Sequence, residues 1–224
     1  MFTFSTRYQQ ALMALVALMS AAALIFQGHL VLVHSPLPPG VALFNFLSYF
    51  TILTSAIASA SLWVGLFAST SGQGPASRLN RFFRRPSVET SIAGCLLNTC
   101  LVYHVALAPL MLHHGVHQWW GVLHDALPAA YILYWFLFVP KGQLHWGLPV
   151  IWMAYPLGYW LVTLWRGAAT GFYPYPYLDV VGIGTTRVLL NLFCFMGSLA
   201  VVFYTLVAVD KWMGKHFDRI FLRK

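Results

Sequence analysis

The chain has 224 residues, 59% of them hydrophobic and 8% charged, with a formal charge of +8 and a mean hydropathy of +0.71. A soluble domain carries about a quarter charged residues, so this composition excludes an ordinary soluble globular protein and points to an integral membrane protein. Cys95, Cys100 and Cys194 all lie inside apolar runs, which argues against a disulfide framework and for small core residues.

In chain order, six apolar runs read as membrane-spanning helices near 8–33, 41–68, 88–112, 121–139, 147–165 and 186–209. Each is close to the ~20 residues that cross a bilayer core. The expected fold class is all-α, one polytopic domain over residues 1–224 built as a bundle of six transmembrane helices. The first run has Arg7 before it and the small stretch Ser20-Ala21-Ala22-Ala23 within it, yet apolar sequence continues to Val33. It reads as a retained helix rather than a cleaved signal peptide. The connectors are punctuated: "HSPLPPG" (34–40) and "PKGQLHW" (140–146) are tight turns. "STSGQGPASRLNRFFRRPS" (69–87) is small and basic, "HHGVHQWW" (113–120) is aromatic and neutral, and "GAATGFYPYPYLDVVGIGTT" (167–186) is long and stiffened by prolines.

The basic residues set the orientation. Arg7, Arg78, Arg81, Arg84, Arg85, Lys141, Lys211, Lys215, Arg219, Arg223 and Lys224 alternate as six spans with both termini cytoplasmic require. The positive charge is therefore a topology signal, and no nucleic-acid partner is needed. Only Arg166 and Arg187 fall on the opposite side, flanking the same external loop.

This orientation gathers polar chemistry at the external end. His29, His34, His104, His113, His114, His117 and His124 fall in that half. His124 is about four residues into the fourth run, roughly 6 Å below the interface at 1.5 Å per residue. Ser48 lies about 10 Å deep in the second run by the same rise. A hydroxyl and an imidazole in one leaflet could act as an activated nucleophile and its base. Ser48, Ser55 and Ser59 share a narrow helical arc with Asn45 at its edge, which close helix packing would also explain. His124 reads equally as a shallow interfacial histidine, although ionisable groups inside spans are functional candidates by default. Asp125 points about 100° away from His124 and fits a helix-start group. Asp179 is the one acid in its loop and stands between Arg166 and Arg187, so a pairing with either could order that loop as a lid.

Other signals are weaker. His113 and His117 have metal-pair spacing beside Gly115, but a wet interfacial loop accounts for them. His29, His104 and His124 could serve a non-covalent haem. P-loop, dinucleotide and G-x-S-x-G motifs are absent from the sequence.

The segments "FNFLSYF" (44–50), "VLHDALP" (122–128) and "YPYLD" (175–179) resemble the androgen-induced protein family, which includes the androgen-dependent TFPI-regulating protein and related bacterial membrane proteins. The resemblance implies a six-span hydrolase that cleaves fatty acid esters of hydroxy fatty acids through a threonine nucleophile and a histidine base. Phe46-Leu47-Ser48-Tyr49 matches the nucleophile segment with serine for threonine. His124 matches the base, and Tyr175 to Asp179 matches a Tyr-Pro-Phe-Leu-Glu stretch. Tyr134 stands where relatives carry an acid, ten residues after the histidine.

The resulting expectation is hydrolysis of a lipid ester by Ser48 with His124 as general base, toward the external leaflet of a bacterial plasma membrane. Asn45 would serve the oxyanion, and Asp125, Tyr175, Asp179, Arg166 and Arg187 would support the site or bind substrate. The expected partners are a fatty acyl ester and the bilayer, with no metal or organic cofactor required. The alternatives are a haem-binding protein, or a transporter or lipid-binding protein without hydrolase activity.

Overall fold

A computed structural model describes residues 6–68, 75–107 and 122–221. His113, His114, His117 and the far end of the expected third span lie outside the described residues, as do the last basic residues of the tail. Among the described residues every regular element is helical. Four helical stretches are long and apolar enough to cross a membrane: Arg7–His34, Phe50–Phe67, Leu148–Thr170 and Thr185–His216. Val122–Phe138 is apolar but shorter.

The first run forms α1 (Thr6–His34). Proline at the first helical position, where its missing N–H costs nothing, starts α2 (Pro39–Phe46). The second run is not one helix. Ser48 N bonds Asn45 O and Tyr49 N bonds Phe46 O, so the chain tightens to i→i−3 bonding before α3 (Phe50–Ala68) begins. The common arc expected for Ser48, Ser55 and Ser59 assumed 100° per residue throughout, and this turn breaks it. Ser48 occupies the junction between two helices.

The basic connector folds into α4 (Pro75–Phe83). α5 (Pro86–Val102) again starts on proline and runs into a π-helical turn, Tyr103–Leu107. The fourth run opens as a second π-turn, Val122–Ala126, and continues as α6 (Leu127–Phe138). The fifth run is split into α7 (Leu148–Trp152) and α8 (Ala154–Thr170). Pro156 explains the split, since it cannot donate to the carbonyl four residues back. A 3₁₀ turn (Pro176–Leu178) and the short α9 (Val180–Ile183) lead into α10 (Thr185–Phe221). α10 extends well past the expected end near 209, carrying part of the basic tail as helix.

Two connected cores hold these elements. Met13, Val16 and Ala17 of α1 pack with Ile52, Ala58 and Leu62 of α3, Leu96 of α5, and Leu123, Leu127, Tyr131 and Trp135 around α6. Trp152, Tyr159 and Trp160 of α7 and α8 pack with Leu178 and with Leu199, Phe203 and Val207 of α10. Phe50 belongs to the second core, with Tyr155, Tyr159 and Phe195 rings around it. The outward faces are apolar as well: Val105, Trp165 and Phe193 are each about three-quarters exposed, at 73%, 74% and 78%. An apolar outer surface of this kind needs a non-aqueous covering.

At the end of the bundle that carries Lys141, the loop after α6 is pinned to α10. The buried Asp210 accepts Leu144 N through Oδ2 at 3.1 Å, and its carbonyl accepts Gly142 N at 3.1 Å. Gly142 has φ +81° and faces Gly214 so closely that a Cβ on Gly214 would lie 2.6 Å from Gly142 Cα.

Candidate active site

Ser48 stands at the α2–α3 junction, and its contacts are set by Arg166 of α8. Arg166 Nη1 donates to Ser48 Oγ, and Arg166 Nη2 donates to Asn45 Oδ1. Ser48 Oγ donates to Phe44 O at 2.6 Å. The guanidinium carbon lies 4.3 Å from the Phe44 ring centroid and 4.8 Å from that of Phe172. Two aromatic rings at these distances offset part of the cost of holding a cation here. Arg166 Nε is buried without a hydrogen-bond partner among the described residues. The backbone is fixed from α8 as well, because Tyr159 OH donates to Ser48 O at 2.9 Å.

The proline-rich loop packs on the same junction. Tyr175 OH accepts Thr51 N at 3.4 Å, and the Tyr175 ring meets Tyr49 edge-on at 5.2 Å. Tyr177 stacks on Tyr175 at 4.9 Å, and its carbonyl accepts Asn191 Nδ2 at 3.0 Å. Burial pushes the Tyr175 phenol up to about 12, so it stays neutral. The loop thus forms a wall beside Ser48.

Its ordering does not come from an arginine pair. Asp179 Oδ1 accepts Val181 N and Gly182 N, each at 3.0 Å, and so caps α9. Local backbone donors, two and three residues on, satisfy a carboxylate without the entropy cost of ordering a long side chain. Arg187 is exposed in the first turn of α10, and the arginine with a functional setting is Arg166, turned to Asn45 and Ser48.

His124 is 2% exposed. It lies in the π-turn that opens the fourth run, with its ring stacked on Tyr103 at 4.1 Å. Its neighbours Leu123 and Leu127 are completely buried in the first core. This is a histidine held inside the bundle rather than on its outer surface. Asp125 faces away from it: His104 Nε2 and Asp125 Oδ1 are 2.6 Å apart. Beside this turn, Val122 joins Met19, Ala23, Phe26 and His29 in lining an apolar cavity of about 630 Å³, within the usual size range of ligand pockets.

The structure therefore brings Asn45, Ser48 and Arg166 together and sets Tyr175 beside them. It holds His124 and Asp125 in a second group with Tyr103 and His104. The partners that engage the Ser48 hydroxyl are Phe44 and Arg166. Sequence reasoning missed Tyr159, Phe44 and Phe172 as parts of the site. Phe44 lies inside the "FNFLSYF" segment, whereas Tyr159 and Phe172 give no local signal. A second hydroxyl lies close by: Thr51 is 5% exposed in the first turn of α3, and α3 packs against the π-turn that carries His124.

A second polar cluster lies at the other end of α5. Arg84 Nη1 is 2.6 Å from Glu89 Oε1, and Tyr134 OH donates to the same oxygen at 3.0 Å. Tyr134 of α6 thus meets an acid supplied by a different helix, α5. Glu89 and the Cys100–His104 stretch are separated by most of α5, roughly 16 Å at 1.5 Å per residue, so this cluster is remote from the group that holds His104 and Asp125.

These features define the class: an all-helical chain with several helices long and apolar enough to cross a membrane, carrying polar clusters inside an apolar bundle. Comparison with known proteins adds no further identification, since no family model, curated protein or solved structure matches the chain.

Proposed function

We propose that the chain is a six-span membrane protein, termini in the cytoplasm, that binds an acyl lipid at the external end of the bundle and hydrolyses its ester. The observation that carries this reading is the Arg166 fork, which reaches both Ser48 Oγ and Asn45 Oδ1 and lies near the rings of Phe44 and Phe172. Such a guanidinium is suited to a carboxylate or to a carbonyl oxygen that gains negative charge. The apolar cavity lined by Val122, in the π-turn that also carries His124, supplies room for an acyl chain. The distribution of basic residues supports the orientation, with the site toward the outer leaflet, and the proposed location is a bacterial plasma membrane.

In the proposed reaction the ester carbonyl displaces Ser48 from Arg166. Ser48 Oγ attacks the carbonyl carbon while His124 takes its proton. Arg166 and the Asn45 amide nitrogen receive the oxyanion. His124 returns the proton to the leaving alkoxide, and water then attacks the acyl-serine by the same steps to release the acid. This sequence requires His124 to leave Tyr103 and meet the Ser48 oxygen once Arg166 has released it.

One observation favours a second reading, acyl-lipid binding without hydrolysis. The Ser48 hydroxyl is engaged by Phe44 and Arg166, while His124 is stacked on Tyr103. Labelling by a fluorophosphonate probe, with fatty acyl ester hydrolysis measured in parallel, separates the two. Hydrolysis predicts labelling of the native chain that is lost in Ser48→Ala and His124→Ala. Lipid binding alone predicts no labelling and a bound acyl lipid that weakens in Arg166→Gln. Labelling that survives Ser48→Ala and disappears in Thr51→Ala would move the nucleophile one turn into α3.

A further inference from the structure

Cys100, His104 and Asp125 form a group that the proposed hydrolysis does not use. Cys100 lies in the last turn of α5, and His104 follows four residues later in the adjoining π-turn, so both side chains leave the same face. Asp125 comes from the second π-turn, on a different segment. His104 Nε2 is 2.6 Å from Asp125 Oδ1, and Cys100 Sγ is 4.0 Å from the same oxygen. The sulfur, nitrogen and oxygen all lie within 4.8 Å of one another. His104 and Asp125 remain about half exposed, at 55% and 48% of their side chains.

We propose that these side chains are a binding site for a divalent transition-metal ion, with zinc as the best match. A thiolate, an imidazole and a carboxylate are the three donor types zinc accepts, at about 2.3, 2.0 and 2.0 Å. Tetrahedral geometry at those lengths places donor atoms roughly 3.4 Å apart. The nitrogen and oxygen would move apart by just under ~1 Å and the sulfur would approach the oxygen by about 0.5 Å, which side-chain rotation supplies. A hard cation such as magnesium or calcium selects oxygen donors and is disfavoured by the sulfur and nitrogen.

Two further features fit a ligand site rather than a simple ion pair. Both connected segments adopt π-helical turns where they carry ligands, and such turns are costly and concentrate at functional positions. A half-exposed carboxylate at the edge of an apolar bundle is costly unless compensated, and a cation bound by all three groups compensates it more fully than one imidazole. Three protein donors leave one tetrahedral position open for water or an outside ligand. Tyr103 ties this site to the proposed base: its ring meets His104 at 5.2 Å and stacks on His124 at 4.1 Å. Metal binding would therefore fix the turn against which His124 rests.

The test uses the full chain in detergent, stripped with chelator and titrated with Zn²⁺ against a chromophoric chelator. Cobalt(II) serves as the spectroscopic substitute. The proposal expects one Zn²⁺ per chain, weakened more than about tenfold by Cys100→Ser and by Asp125→Asn. It also expects a thiolate-to-cobalt charge-transfer band that Cys100→Ser removes. Binding that is unchanged in both variants, or a cobalt spectrum without a thiolate band in the native chain, overturns it. Neither readout depends on hydrolysis, so failure here leaves the hydrolase reading standing, and the reverse holds too.

Discussion

Replacing Arg84 by methionine tests how the bundle tolerates charge. Arg84 Nη1 approaches Glu89 Oε1 at 2.6 Å, Nη2 donates to Ser61 O at 2.9 Å, and Nη1 also donates to Tyr134 OH. The Glu89 side chain is 3% exposed and that of Arg84 21%. In Arg84→Met the carboxylate keeps, among the described residues, the Tyr134 hydroxyl as a donor at 3.0 Å. Breaking a buried pair by removing one partner costs about 3–5 kcal/mol, because the remaining charge is left uncompensated. For a chain of this size that lowers the unfolding midpoint by about 10 °C. Glu89→Gln added to Arg84→Met removes the orphaned charge and recovers most of the loss. The assay is thermal unfolding in mild detergent, followed by tryptophan fluorescence, for native, single and double variants. If Arg84→Met shifts the midpoint by less than about 2 °C, or the double variant is no better than the single, the pair is not held as desolvated ions and the reasoning fails.

Two further perturbations, one with a control, concern the loop after α6 and its contact with α10. Gly214→Ala places a Cβ 2.6 Å from Gly142 Cα, so backbone must move, and thermal unfolding should show a loss of about 1–3 kcal/mol. Gly197→Ala, with open space at that position, should be tolerated in the same assay. Lys141 Nζ donates to Trp135 O and Val139 O; burial holds its amine down at about 8. The unfolded lysine, at about 10.4, binds the proton more tightly than the folded one. Stability should therefore rise with pH between about 8 and about 10.4 and be flat in this respect on either side. Unfolding midpoints across that range for native chain and Lys141→Met check it: the rise should vanish in the variant, and a fall in the native chain would contradict the assignment.

The helical class was legible because apolar runs of 19 to 28 residues between polar connectors leave few alternatives. The breaks were harder to read. Pro156 does announce the α7–α8 split through its missing donor, but the tightened turn at Ser48 has no proline or glycine to mark it. The candidate site was legible only in composition. Ser48, Asn45 and Arg166 could each be singled out, yet their meeting joins positions 118 and 121 residues apart. Side-chain partners at that separation are set by helix packing rather than by local pattern. The same holds for Glu89 with Tyr134 and for His104 with Asp125. Asp179 failed for the opposite reason: a nearby arginine suggested an ion pair, while the backbone donors two and three residues on were closer.

The most direct measurement of the central claim is mass spectrometry of the purified chain after reaction with a fluorophosphonate, with the modified peptide sequenced and acyl ester turnover measured on the same preparations. The account predicts one adduct, on Ser48, absent from Ser48→Ala and His124→Ala, together with loss of turnover in both. An adduct elsewhere, or turnover that persists in Ser48→Ala, would contradict it.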